Sequence, residues 1–157
     1  MAKKIYKNRE YEAEVSNYLS NHIAFMDNDI SFDFVANISW HCILLHKLMP
    51  LSGTIFYFES DQLNYELLAS NIKSHGIDNM IVIDKALSNK PETIKLYHYL
   101  RKHFGRYSLL DINSDDSIDF ETLIWDEFLE TKKVDFSRIK LTKIDIEGYE
   151  LFALVGA

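Results

Sequence analysis

Apolar positions along the chain switch between two periods, and the switches mark out the elements. Tyr11, Val15, Tyr18, Leu19, His22, Ile23 and Met26 recur at the three-and-four spacing of one helical face. "FMDNDISF" then supplies Asp and Asn turn chemistry ahead of a strand, "ISFDFVA". From Trp40 to Leu48 the pattern is helical again, and Pro50 with Gly53 stops it. "TIFYFE" is β-branched and aromatic, as a short buried strand should be. Asp61 can cap the following helix, whose stripe is Leu63, Leu67, Leu68 and Ile72, with Gly76 just beyond its end. "MIVID" reads as a third strand.

The repeated helix–strand order predicts a parallel sheet with right-handed crossovers, hence a doubly wound α/β fold. The middle of the chain breaks the rhythm. "ETIKLYHY" alternates like a half-exposed strand and "GRYSLLDI" follows after a turn, predicting a small antiparallel hairpin, to which "DSIDF" adds an edge segment. Thr122 offers a cap for a helix around "LIWDEFLE". "RIKLTKIDI" is a further buried strand, and "GYELFALV" begins a helix that Gly156 ends. The strands near 30–36, 54–59, 80–84 and 139–146 are expected in one parallel sheet, ordered third, second, first, fourth.

Composition narrows the function. A chain of 157 residues, 47% hydrophobic and 26% charged, suits one ordinary globular domain with a real core. A formal charge of −7 argues against nucleic acid as a partner, because such binding depends on basic surface. The opening "MAKKIYKNREYEAEV" lacks the apolar core of a signal peptide, and no run approaches the roughly 18 apolar residues of a membrane span. Cys42 is the single cysteine, which excludes an internal disulfide and fits a reducing, cytoplasmic setting.

In doubly wound folds ligands sit outside the carboxyl ends of the strands. Asp33 near the end of the first strand, Glu59 ending the second, and Asp145 with Glu147 ending the last are the acidic groups at such ends. A carboxylate ending the second strand can accept hydrogen bonds from both ribose hydroxyls of an adenosine. The alternative is that Glu59 only caps the following helix, whose N-terminus favours negative charge. "DFVANISWHC" has the layout of a cofactor loop between strand and helix, yet it contains no glycine.

Taken with that loop, "FYFESDQLNYELLASNI", "IDKALSN" and "IKLTKIDIEGYELFALVGA" stand in the order and spacing of FkbM-type methyltransferases, which the chain resembles from about Asp33 to Ala157. The resemblance also takes in "GRYSL" and "FETLIWDEFL". It implies a Rossmann-like methyltransferase fold with a small antiparallel insertion, S-adenosylmethionine as cofactor, and methyl transfer to a hydroxyl of a sugar or small metabolite. By the same resemblance Asp33, Val35 and Asn37 border the methionine end of the cofactor. Glu59 holds its ribose, Asp84 and Lys85 lie by the adenine, and Asp145 and Glu147 sit near the acceptor. Residues 1–28 are then an N-terminal helix packed on a domain spanning 29–157.

The chemistry asks for the same groups. A methyl sulfonium is already activated, so catalysis is mainly in-line placement of the nucleophile and exclusion of water. A hydroxyl acceptor gains from a general base within hydrogen-bond reach; Asp145 is the first candidate and Glu147 the second. The competing reading makes Asp145 a cap for a helix starting at Gly148.

Two departures from the family matter. Val35 and Ser39 stand where the family carries glycine, and only Asn37 is at ease at positive φ. If Val35 had to adopt that conformation the cost would be about 1–2 kcal/mol, and its side chain would take up cofactor space. The chain also stops at "LVGA", where family members continue through further strands. The domain is therefore expected to be incomplete, with an exposed strand edge through which copies could associate.

Two other readings stand beside the methyltransferase. One is a degenerate, non-catalytic member acting as a binding module. The other is a dinucleotide-binding oxidoreductase, since Glu59 would serve an NAD ribose equally well; the missing G-x-G-x-x-G counts against it. His41 and His46 are five apart and do not share a helical face, so they make a poor metal pair. His98 and His103 flank a turn, Cys42 reads as a small core residue, and Tyr97, Tyr99 and Phe104 read as hairpin packing or an acceptor pocket.

Overall fold

The computed structural model describes residues 12–35, 40–98, 107–108, 117–146 and 149–157. Within them the order is α1 (Ala13–His22), β1 (Ile30–Val35), α2 (Trp40–Leu48), β2 (Thr54–Phe58), α3 (Gln62–Ser74) and β3 (Met80–Ile83). β4 (Ala86–Leu87), β5 (Thr93–His98), β6 (Tyr107–Ser108) and β7 (Ser117–Leu123) follow. α4 (Trp125–Thr131), β8 (Ile139–Asp145) and α5 (Glu150–Val155) complete the series.

Four strands form a parallel sheet in the order β3-β2-β1-β8, as the alternation and the crossover rule predict. The register sets Asp33 opposite Tyr57 on one side and Lys143 on the other, and Val35 opposite Asp145. Because side chains alternate across a strand, each central strand feeds two cores. Ile55 and Tyr57 pack with Leu19, Cys42, Leu45 and Leu68 from the first three helices. Phe32, Phe34, Phe56 and Phe58 pack on the other face with Leu87, Phe128 and Ala153. The phenylalanines stack in cross-strand pairs, Phe34 on Phe58 with ring centroids 4.5 Å apart and Phe32 on Phe56 at 5.1 Å. Burial on both faces explains why "ISFDFV" and "TIFYF" read as near-continuous apolar runs.

The insertion is a second sheet, ordered β4-β7-β5-β6. The expected pairing of β5 with β6 is present, Tyr97 opposite Ser108. The segment around "DSIDF" is not an edge, however. It extends through "ETL" and lies inside the sheet, antiparallel to β5 and parallel to β4. Thr122 consequently belongs to a strand and caps no helix: its hydroxyl accepts from Glu92 N at 2.9 Å and faces the carbonyls of Lys90 and Glu92 at 2.9 and 3.0 Å. Ile124 occupies the N-cap of α4 without a side-chain bond.

Several helical stripes differ from their sequence reading. On α1 the buried residues are Ser16 and Leu19, while Val15, Tyr18 and Met26 are exposed. On α3 Leu68 is buried but Leu63 and Leu67 are exposed at 77% and 57%. A three-and-four pattern marks a face wider than the line that meets the sheet, so its flanks stay wet. Asp61 caps α3 as expected, accepting from Asn64 N at 2.8 Å, and Gly76 takes φ +61 just past its end.

A strand-end cleft and a buried ion triad

The carboxyl ends of β1, β2, β3 and β8 all open toward one end of the sheet, because the four strands are parallel. Two groups of polar residues collect there.

The first lies beyond β2 and β3. A cleft of about 570 Å³ is lined by Ser60, Asp61, Gln62 and Leu63 at the start of α3, by Asp84 after β3, and by Asp119, Phe120 and Glu121 of β7. That volume is within the ~300–1,000 Å³ of small-molecule pockets. Asp84 thus faces the cleft. Lys85 instead reaches Glu121, its Nζ 2.6 Å from the carboxylate, and ties the β3–β4 turn to the second sheet. Glu59 is 1% exposed, behind the Ser60–Asp61 wall. Its Oε1 accepts from the backbone N of Asp61 at 2.9 Å. Asp61, not Glu59, caps the helix, so Glu59 braces the residue that does.

The second group lies around the carboxyl ends of β1 and β8. Asp33 is buried on β1, facing α2, where the Cys42 thiol donates toward its Oδ2 at 3.7 Å. Lys143 Nζ stands 3.7 Å from Asp33 Oδ1 and 3.5 Å from Asp145 Oδ2. Burial pushes the Asp33 carboxyl up to about 6, against the opposing pull of the Lys143 charge. Burial, then the charge and hydrogen bond of Asp33, drive the Cys42 thiol well above its ordinary range. His41, buried at the start of α2, has its imidazole lowered by burial and next by Lys143; its Nε2 is 3.7 Å from Glu12. His46 points elsewhere, to Asn79 Oδ1 at 2.8 Å, so the two histidines do not converge. Among the described residues no group of three or more His, Cys, Asp or Glu is arranged to hold a metal.

The sequence reading of Asp145 as a cap at Gly148 falls on a residue outside the described ones. The helix begins at Glu150, its N-cap Tyr149 makes no side-chain bond, and Ile146 N is received by Glu150 Oε1 at 3.1 Å. Val35 closes β1 opposite Asp145 in strand pairing, and it is absent from the positive-φ residues, which are Glu12, Asn28, Lys133 and Gly76. The condition for backbone strain at Val35, a positive φ, is not met among the described residues. Asn37, Ser39 and Glu147 lie outside the described residues, as do Tyr99, His103 and Phe104.

Sequence reasoning missed Lys143. Its signal was a lysine placed mid-strand in "IKLTKIDI", two residues before Asp145, where the period of two puts both on one face.

A family model described as Methyltransferase FkbM domain matches residues 33–157. The chain belongs to the FkbM methyltransferase family. It is similar to the crystal structure of methyltransferase FkbM from Methylobacillus flagellatus KT, at 14% identity and a TM-score of 0.54, over 85% of this chain and 29% of that one. The chain therefore spans less than a third of that protein's length. A SAM-dependent O-methyltransferase from Thermotoga maritima aligns over 52% of this chain and 32% of its own, at 17% identity and a TM-score of 0.43, too low to bear on the fold. No curated protein matches the chain. The fold of this FkbM-family chain is the Rossmann-like methyltransferase fold: a mostly parallel sheet, helices on both faces and a small, largely antiparallel insertion. No helix among the described residues is long and apolar enough to cross a membrane.

Proposed function

We propose that this chain binds S-adenosylmethionine and takes part in methyl transfer to a hydroxyl of a sugar or small metabolite. The observation that carries the reading is the cleft past β2 and β3, walled by Asp61 and Asp84 with Glu59 directly behind, in a chain whose family is the FkbM methyltransferases. Ligands of doubly wound folds bind in that position. The donor set also suits an adenosine: carboxylates accept from ribose hydroxyls and exocyclic amines, and Phe120 with Leu63 supplies apolar surface beside them.

When bound, the cofactor supplies an activated methyl group, which leaves placement and deprotonation to the chain. Glu59 would hold the ribose, Asp84 would meet the adenine edge, and the turn from Val35 through Asn37 would border the methionine end. Asp33, buried near the end of β1, would favour the cationic part of the cofactor. Asp145, half-exposed at the end of β8, would take a proton from an acceptor hydroxyl, with Glu147 as the second candidate. The acceptor is proposed as a small molecule or glycan, and the lone thiol is in keeping with a cytoplasmic setting.

Titrating S-adenosylmethionine and NAD separately by calorimetry tests the reading. Binding of S-adenosylmethionine alone is the expected result. Binding of NAD alone would replace it with a dinucleotide enzyme. Binding of neither by the folded protein would favour a non-catalytic member, the reading that the glycine-free loop supports.

A further inference from the structure

We infer that Lys143 is a positioning residue of the methyl-transfer site, its ammonium clamping the carboxylate near the end of β1, Asp33, to the carboxylate at the end of β8, Asp145. The inference rests on the function proposed above and adds to it a residue that does not itself touch the cofactor.

The geometry is fixed by backbone pairing. Asp33 and Lys143 are register partners on neighbouring parallel strands, and Val35 and Asp145 are the next same-face pair. Residues two apart on a strand share a face, so Lys143 necessarily lies between the two carboxylates. Its Nζ is 3.7 Å from one and 3.5 Å from the other. The site is largely closed: the Lys143 side chain is 15% exposed and that of Asp33 is 2%. The charged and titratable groups around Asp33 are Lys143 and Asp145 from β8 and Cys42 from α2. Lys143 is the single cation among them. Without it a buried carboxylate stands against a second carboxylate and a thiol, an arrangement whose charged form loses most from burial. Asp145, half-exposed on the edge strand, would lose its tether and sample other rotamers.

Both carboxylates flank Val35, where β1 gives way to the cofactor turn. A shift of about 1 Å in such groups is enough to cost a site much of its affinity or rate. Lys143 thereby links the cofactor end of the site to the acceptor end.

The test compares the native protein with Lys143→Met and Lys143→Arg, using S-adenosylmethionine as the calorimetric probe and the ¹³C carboxyl signal of Asp33 as an independent one. Lys143→Met is expected to lose affinity tenfold or more at a temperature where it remains folded. Lys143→Arg should recover most of that loss. The Asp33 midpoint should rise above the native value of about 6 in Lys143→Met and fall back in Lys143→Arg. Should Lys143→Met fail to fold, Asp33→Asn with Lys143→Met takes its place, since it leaves no buried charge stranded. Binding by that folded double variant weaker than by Asp33→Asn alone upholds positioning; affinity equal to that of Asp33→Asn would show that Lys143 only neutralises Asp33, and would overturn the inference. If the native protein itself shows no affinity, the proposed function falls. The clamp is then decided by the carboxyl signals of Asp33 and Asp145 together: a change at both in Lys143→Met upholds it, and any other result, a change at Asp33 alone included, overturns it.

Discussion

The backbone N–H of Asp61 donates to Glu59 Oε1 at 2.9 Å, so the carboxylate just past β2 holds the residue that caps the next helix. A group with ribose-binding chemistry thus braces the cleft wall without lining the cleft itself.

That double engagement separates two substitutions. Glu59→Ala leaves the Asp61 N–H without its acceptor and should cost about 1–3 kcal/mol of stability, read by urea unfolding. Glu59→Gln keeps an acceptor oxygen and should fold nearly as well. Both should lose about 1.5–3 kcal/mol of S-adenosylmethionine affinity, the range for hydrogen bonds to a charged group. Undiminished affinity in Glu59→Gln would remove Glu59 from the ribose site.

Asp33 gives a pH signature of known sign. Its folded-state carboxyl is raised from 3.8 to about 6 by burial. Between those values the folded state holds the proton more tightly than the unfolded state, so stability falls as pH rises through that window. The penalty is complete above it and amounts to roughly 3 kcal/mol at full burial. Denaturant unfolding from pH 4 to 7 should show the native protein losing stability relative to Asp33→Asn by about that amount. A relative gain over the same window would mean that Lys143 outweighs burial.

Thr122 joins the ends of the second sheet through a hydroxyl that serves Glu92 N and the carbonyls of Lys90 and Glu92. Thr122→Val keeps the shape but removes the partner of the part-buried Glu92 N–H and Lys90 carbonyl, while the Glu92 carbonyl keeps the Thr122 backbone N–H. A loss of about 1–3 kcal/mol is expected from thermal or urea unfolding. Because Phe120 and Glu121 on the same strand line the cleft, cofactor affinity should fall as well. Neutral stability would mean that water replaces the hydroxyl.

Gly156 is a packing site and not a conformational one. Its φ of −91 suits any residue, but an added Cβ would press on the Ser88 carbonyl oxygen and sit 3.0 Å from Asn89 Cα. Backbone cannot yield as a side-chain tip can. Gly156→Ala should therefore destabilise by about 1–3 kcal/mol, the cost of overpacking. A melting temperature equal to the native one would show that α5 shifts freely away from the β4 segment.

Much of the sheet was legible because both of its faces are covered. Double burial demands apolar residues at nearly every position of β1 and β2, and the helices between them force parallel crossovers of one hand. The caps were legible too: Asp61 and Gly76 satisfy local backbone requirements that depend on no distant residue. The second sheet was read less well. β4 is two residues long, and the place of β7 between β4 and β5 depends on contacts from Tyr97 with Ser117 to Ala86 with Thr122, far apart in the chain, which no local period encodes.

The candidate site divides along the same line. The sequence by itself determined which acidic residues stand near strand ends, since strand limits and side-chain alternation are local properties: Asp33 lies just short of the end of its strand, and Glu59, Asp84 and Asp145 lie at or just past theirs. Only the tertiary structure decided what each one does there. It buried Asp33 against Cys42 and Lys143, turned Glu59 into the brace of Asp61, and aimed Asp84 into the cleft and Lys85 at Glu121. The physical reason is that a charge responds to whatever surrounds it in space. Strand β8 is separated from β1 by more than 100 residues of chain, yet its Lys143 sets the field at Asp33.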